Sequence, residues 1–306
     1  MFLAHVLGFV LLTTASVASS VSMNFQKLAQ YQTEYTDPRS RQLKHPVPLT
    51  SHVWTRPLFI VALILSAAAS ILDLIALAWL PATVIGVFGS LSIIINLCVT
   101  HVILFEKPSK EEYSAICFVV VGCLLAISAT STNNTIQLPP QLLERPQSSI
   151  YIVSNWIVFI LIAVVLENVT VSGLLAQLGY PLIGGAIGAQ NVCMGKYIAY
   201  TVKTSFEVGH LTVRADVLTA VVLLCISSVV MHVIWLNKGL KKYDAYYCII
   251  VYQTAWFIFT ILTGIIVYDD MVHADLWTYS VFVTGISSAV FGVWKISSLY
   301  LKQNAG

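Results

Sequence analysis

The sequence predicts an all-α integral membrane protein of about nine transmembrane helices, forming a single transmembrane domain over residues 1–306. Three observations carry that prediction. The chain is 58% hydrophobic and 10% charged, against roughly 45–50% apolar and 25% charged in soluble domains. Apolar runs of about 20 residues recur, the length at which a helix crosses a hydrocarbon core of roughly 30 Å. Within those runs apolar and polar residues do not alternate, as they would in the strands of a membrane barrel.

The elements follow in order. Met1 to Ser22 carries no Lys, Arg, Asp or Glu and ends in the small residues Ala15 to Ser20. No positive stretch precedes it and Lys27 follows, so a retained first span is favoured over a cleaved signal peptide. Residues 23–54 are polar, with Lys27, Tyr31, Arg39, Arg41 and Lys44, and read as a cytosolic loop. Further spans fall near 57–79, 82–104, 113–131, 150–170, 180–202, 216–237, 246–267 and 276–298, with an outer loop at 132–149. The break Trp79-Leu80-Pro81 separates the second span from the third, because proline has no N–H to continue a helix. Six cysteines all fall inside apolar runs with no C-x-x-C pair, so they read as small buried hydrophobes.

Nine spans put the two termini on opposite sides, and charge decides which is which. With the N-terminus outside or lumenal, twelve Lys and Arg lie at the cytosolic ends and only Arg145, Lys203 and Arg214 at the outer ones. Lys196 falls inside a span. Asn133-Asn134-Thr135 then forms a glycosylation sequon in the outer loop, while Asn168-Val169-Thr170 lies on the cytosolic side and should stay unmodified.

Two spacings suggest an internal repeat. Asp73 lies eight residues before Pro81 and Asn237 eight before Ala245; Glu106 and Asp270 each close an apolar run. Each pair is separated by 164 residues, a shift that maps span two onto seven. An offset of five spans reverses orientation, giving inverted halves of about 1–131 and 180–298 joined by the span at 150–170. Many secondary transporters are built this way, with substrate bound near the midplane between the halves.

An ionised carboxylate inside an apolar helix costs roughly 2.5–3.5 kcal/mol on insertion scales, so Asp73 is expected to face a partner ion or a water-filled path. Pairing with Lys196, or protonation within the packing, are the alternatives. Asn237 is a neutral oxygen that the repeat sets opposite Asp73, unless it serves as glue between helices. Asn96 in span three and Tyr252 in span eight are further polar groups in apolar surroundings. The segment Gly184 to Gly188 contains G-x-x-x-G, read as internal helix packing.

At these residues the sequence resembles the NIPA-type magnesium transporters, a branch of the drug/metabolite transporter superfamily. Leu80-Pro81-Ala82 with Gly89-Ser90-Leu91-Ser92-Ile93-Ile94 is similar to the family's "APA…GALSVI" segment. Leu104-Phe105-Glu106-Lys107 resembles "LKEKL". Gly188, Lys196 and Lys203 keep the spacing of "GSLTVMSVKALGIALK", and Leu236-Asn237-Lys238-Gly239-Leu240 resembles "YLNKALD", with Tyr252 downstream near "PIYY". The likeness runs from about residue 13 to 295. It departs in the second span, where the family's "GExxNF" reads Ser70 and Asp73, moving the carboxylate about one helical turn along the same face.

The resemblance implies a drug/metabolite-transporter-like fold and secondary, non-ATP transport of Mg²⁺ or a similar divalent cation. Asp73 and Asn237 would be its metal ligands, with Asn96, Tyr252 and Lys196 lining the path. Mg²⁺ keeps several waters and needs only one or two carboxylates, so such a set suffices chemically. The alternative is a small organic solute such as an amine or nucleoside, for which Tyr246, Tyr247, Tyr252 and Trp256 offer aromatic faces. A scaffold or receptor would leave Asp73 without a role. No P-loop, metal-hydrolase helix, dinucleotide fingerprint or Ser/His/Asp arrangement is found in the sequence. The expectation is a non-enzyme with no cofactor and no nucleic-acid partner, embedded in the plasma membrane or an endomembrane. Composition sets no oligomeric state.

Overall fold

The computed structural model describes residues 2–32, 47–48, 56–77, 82–105, 108–129, 145–168, 174–211, 213–268 and 275–304. Among them are nine helices: α1 (Phe2–Ala29), α2 (Pro57–Leu77), α3 (Ala82–Ile103), α4 (Lys110–Ala129), α5 (Pro146–Asn168), α6 (Leu174–Val208), α7 (Ala215–Lys242), α8 (Ala245–Tyr268) and α9 (Leu276–Asn304). The fold is all-α, as expected, with one short pairing beside the helices. Two-residue strands β1 (Tyr31–Gln32) and β2 (Val47–Pro48) pair antiparallel, Tyr31 opposite Pro48. The break at 79–81, Glu106-Lys107, Asp269-Asp270 and most of both long loops lie outside the described residues.

Helix ends have local causes. Pro57 and Pro146 open α2 and α5, where a missing N–H costs nothing. A capping box opens α4: the Ser109 N–H donates to Glu112 Oε2 at 2.6 Å, and the Glu112 N–H to Ser109 Oγ at 3.3 Å. Asp275, just before α9, accepts the Thr278 N–H at 2.9 Å. Hydrogen bonds from Thr278 hold the Asp275 carboxyl below the usual carboxylate range. Gly209, at φ +78°, ends α6 in the left-handed region that glycine enters without strain.

Contacts at the helix ends place the nine in alternation. Lys27 near the end of α1 meets the end of α7, where Tyr180 near the start of α6 also lies. Arg56 before α2 reaches Ala29, Glu112 in α4 meets Tyr246 in α8, and Glu167 in α5 pairs with Lys238 at 2.7 Å. These ends share one face, which carries Lys27, Arg56, Lys110, Lys238, Lys241, Lys242, Lys295 and Lys302. At the opposite face Tyr151 of α5 meets Thr263 of α8.

Among the described residues, four helices are long and apolar enough to cross a membrane: 146–168, 215–242, 245–267 and 276–300. Shorter apolar helices lie at 57–73 and 92–103. The outward surface of α5 and α7 is aliphatic, with Ile150, Val153, Ile157, Leu161, Leu223 and Ile226 all exposed. Water does not tolerate so much apolar surface; lipid does. The chain is an integral, multi-pass membrane protein.

Several boundaries differ from expectation, most of all in α1 and α6. Helix α1 continues to Ala29, seven residues into the segment expected to be loop, because its polar side chains are buried against other helices. Helix α6 runs from 174 to 208 where a span at 180–202 was expected; Pro181 lies inside it without ending it.

Candidate functional site

Helix α1 carries two polar stripes at the i, i+4, i+8 spacing that puts side chains on one face. Ser16, Ser20 and Asn24 form the first, and it lies against the matching stripe Ser92, Asn96 and Thr100 of α3. Ser92 Oγ donates to Ser16 Oγ at 3.0 Å, and Asn24 Nδ2 donates to Asn96 Oδ1 at 3.0 Å and to the Ser20 carbonyl at 2.8 Å. Asn24 and Asn96 are fully buried. Four polar atoms of this seam have no partner among the described residues: Ser20 Oγ, Asn24 Oδ1, Asn96 Nδ2 and Thr100 Oγ1.

The second stripe, Ser22, Gln26 and Gln30, faces α2 and α7. Ser22 Oγ donates to the Ala62 carbonyl at 2.7 Å, and Gln26 Nε2 to Ser22 Oγ at 3.2 Å. Asn237 Nδ2 donates to Gln26 Oε1 at 2.7 Å, while Gln30 Nε2 donates to Asn237 Oδ1 at 2.7 Å. Beside them the buried Lys27 ammonium donates to the Leu240 and Tyr243 carbonyls, each at 2.5 Å. Together these bonds tie α1 to the end of α7.

A third polar group lies between α6, α7 and α8. Ser228 Oγ donates to Asn191 Oδ1, Asn191 Nδ2 lies 3.3 Å from His232 Nδ1, and the His232 ring lies 6.2 Å from that of Tyr252. Tyr252 is buried, with its hydroxyl near Gly188. The G-x-x-x-G segment works as expected inside the bundle, because Gly185 brings α6 against the Tyr252 carbonyl and Ala255 of α8. Gln190 is fully buried, and neither amide atom has a partner among the described residues.

Asp73 is half-buried in α2, four residues from its end, and makes no hydrogen bond or ion pair with another described residue. Lys196 is half-buried on α6, a helix that packs against α2, but the two do not form an ion pair.

Asp73 and Asn237, expected to face each other, do not share a site. Ala62 meets Ser22, so Asp73 lies eleven residues from that contact toward one face. Asn237 meets Gln26 and Gln30, on the other side of Ser22. At 1.5 Å per helical residue the two are separated by about 25 Å along the bundle. Asp73 stands near the face opposite Lys27. Among the described residues no group of three His, Cys, Asp or Glu could hold a metal ion.

Sequence reasoning singled out Asn96, Asn237 and Tyr252 but missed Ser20, Asn24, Gln26, Gln30, Thr100 and Gln190. The two stripes on α1 are present as spacing in the sequence, but they straddle the boundary between the expected first span and the expected loop.

The family model for "Magnesium transporter NIPA" matches residues 3–299. Among curated proteins, the chain is 22% identical over 303 residues to the probable magnesium transporter NIPA8 of Arabidopsis thaliana, covering 94% of this chain and 68% of that protein. It is 26% identical over 217 residues to the probable magnesium transporter NIPA7 of the same plant, covering 70% of this chain and 66% of that one. The chain therefore spans about two thirds of the length of these relatives. No solved structure matches it.

Proposed function

From the premise that this chain belongs to the magnesium transporter NIPA family, we propose that it carries Mg²⁺ or a similar divalent cation across the membrane without ATP. The observation that carries the reading is Asp73: a half-buried carboxylate, without a protein partner among the described residues, at the face opposite the basic one. A group so placed is stabilised by a passing cation and attracts one to the mouth.

The packing supports two inverted halves. Shifting helix numbers by five turns the pair α1–α2 into α6–α7, α1–α3 into α6–α8, α3–α4 into α8–α9 and α1–α7 into α6–α2, and all of these pairs are in contact. Helix α5 joins the halves, and α1 ends where α6 begins. Such a bundle rocks around a path between its halves. The basic face is cytosolic on this reading, by the positive-inside rule, with the N-terminus outside or lumenal. A dication entering a negative interior then gains about 2.3 kcal/mol per charge per 100 mV, and needs no other energy source.

The organic-solute alternative loses much of its aromatic wall. Tyr247 stacks on Tyr300 at 4.6 Å, and the Tyr246 hydroxyl donates to Glu112 at 2.8 Å. Only Tyr252 and Trp256 remain for it.

The test is Mg²⁺ uptake into liposomes holding the full chain and a trapped indicator. Asp73→Asn should bring uptake to the level of empty liposomes at equal incorporation. Full uptake by that variant would remove the carboxylate from the mechanism.

A further inference from the structure

Helix α9 carries an open groove that cation transport does not use. It has a volume of about 470 Å³ and is lined by Ile286, Ser287, Val290, Phe291 and Trp294. These positions recur at three and four residues, so they form one stripe about 12 Å long at the helical rise. Val290, Phe291 and Trp294 are about half exposed, and on a membrane-spanning helix such a surface meets lipid. The geometry points to this groove, with the lysine at its end, as a binding site for an anionic phospholipid. Its acyl chain would lie along α9 and its headgroup phosphate at Lys295.

Lys295 follows Trp294 at the basic end of the stripe and is half-buried. Its ammonium is held across the helix pair: Nζ donates to Ser114 Oγ of α4 at 2.8 Å and lies 5.6 Å from the centre of the Phe118 ring. Phe118 meets Phe291 edge to face with centroids 5.2 Å apart, and Phe291 lies 5.8 Å from Trp294. An unbroken run of contacts therefore joins the cation to the groove. The two helices are fixed against each other beside it. Ser288 Oγ donates to the Phe118 carbonyl at 3.0 Å, and Gly292 brings α9 against the Ala115 carbonyl.

Charge selects the kind of lipid. An ammonium has three N–H groups, and Ser114 takes one. Lys110, one turn before Ser114, and Lys302, two turns beyond Lys295, are exposed on the same sides of α4 and α9. Of the two acids at the start of α4, Glu112 is turned inward onto Tyr246 and the Ser109 N–H, while Glu111 is exposed. Among the described residues at these two helix ends, three lysines therefore stand against one exposed carboxylate. Basic pockets between membrane helices take acidic headgroups. Phosphatidylcholine brings its own quaternary ammonium and gains less from lysine.

The experiment uses the full chain in phosphatidylcholine vesicles, with bromine on the acyl chains of either phosphatidylglycerol or phosphatidylcholine. Bromine quenches tryptophan on contact, and subtracting the signal of Trp294→Phe isolates Trp294 among the seven tryptophans. Half-quenching of that component should need about fivefold less brominated phosphatidylglycerol than brominated phosphatidylcholine, the factor that one lysine supplies near an anionic surface. Lys295→Gln should bring the two values together, and Lys295→Arg should keep them apart. Lys241→Gln removes one charge from the same end of the bundle on α7, and should leave the preference intact. Equal quenching by the two lipids in the unaltered chain would overturn the inference, as would a preference that survives Lys295→Gln. Equal loss of preference in Lys295→Gln and Lys241→Gln would reduce the effect to bulk surface charge and overturn it too. Should Lys295→Gln fail to incorporate, the two lipids compared in the unaltered chain and in Lys241→Gln still decide.

Discussion

Lys27 is 2% exposed, and its ammonium is bonded to two carbonyls at the end of α7. The last carbonyls of any helix have no intrahelical partner, and the helix dipole makes that end negative. A buried cation there satisfies acceptors that packing would otherwise strand. Lys27→Met should keep most of the side-chain volume while leaving Leu240 and Tyr243 short of a donor. The expected loss is about 2 kcal/mol, for charge-assisted bonds, read as a lower melting temperature in detergent. Lys27 is placed by the sequence within a loop over 23–54, because Asn24, Gln26 and Lys27 come close together there. It is instead helical, since Asn24, Gln26 and Gln30 find partners on α3 and α7. Polarity within a span is ambiguous until the neighbouring helix is known. Helix α4 begins at the Ser109–Glu112 capping box, a local signal that the expected span at 113–131 did not use.

At the scale of the element, α4 and α9 approach each other backbone to backbone. A Cβ on Gly122 would lie 2.5 Å from the Ala289 nitrogen, and one on Gly285 2.5 Å from the Ala126 nitrogen. Small residues on both sides let the helices close until backbones touch, as membrane helices do where no hydrophobic force drives them together. Gly285→Ala would set a methyl against backbone that has no rotamer to yield. The cost expected for such overpacking is about 1–3 kcal/mol, seen as a lower melting temperature. Asp73 lies on another helix, α2, so Mg²⁺ uptake at equal incorporation should stay unchanged; a loss of uptake would show that α4 and α9 move during transport. Helix positions were legible in the sequence because apolar length sets them, and α2 and α3 end within two residues of expectation. Pairing was not legible. Nothing in the pattern of α4 said that its partner would be α9, 150 residues on, since small residues occur throughout these spans.

For the molecule as a whole, alternation of the helices and clustering of the basic residues make one prediction that mutating a single contact cannot. The end of α5 shares the face of Lys238, through the 2.7 Å pair with Glu167. Asn168, next in the chain, therefore lies on the basic face, with its amide donating to the Val164 carbonyl at 2.9 Å. Asn133 belongs to the loop between α4 and α5, outside the described residues, and that loop joins two helix ends at the opposite face. If the basic face is cytosolic, as the positive-inside rule requires, glycan can reach Asn133 and cannot reach Asn168, although both sit in sequons. Expressed in eukaryotic membranes, the chain should lose mass on treatment with an N-glycosidase. Asn133→Gln should abolish that loss and Asn168→Gln should leave it intact. Glycan on Asn168 would turn the bundle over, placing Asp73 at the cytosolic mouth, where the membrane potential opposes rather than drives a dication moving from that mouth to the other face.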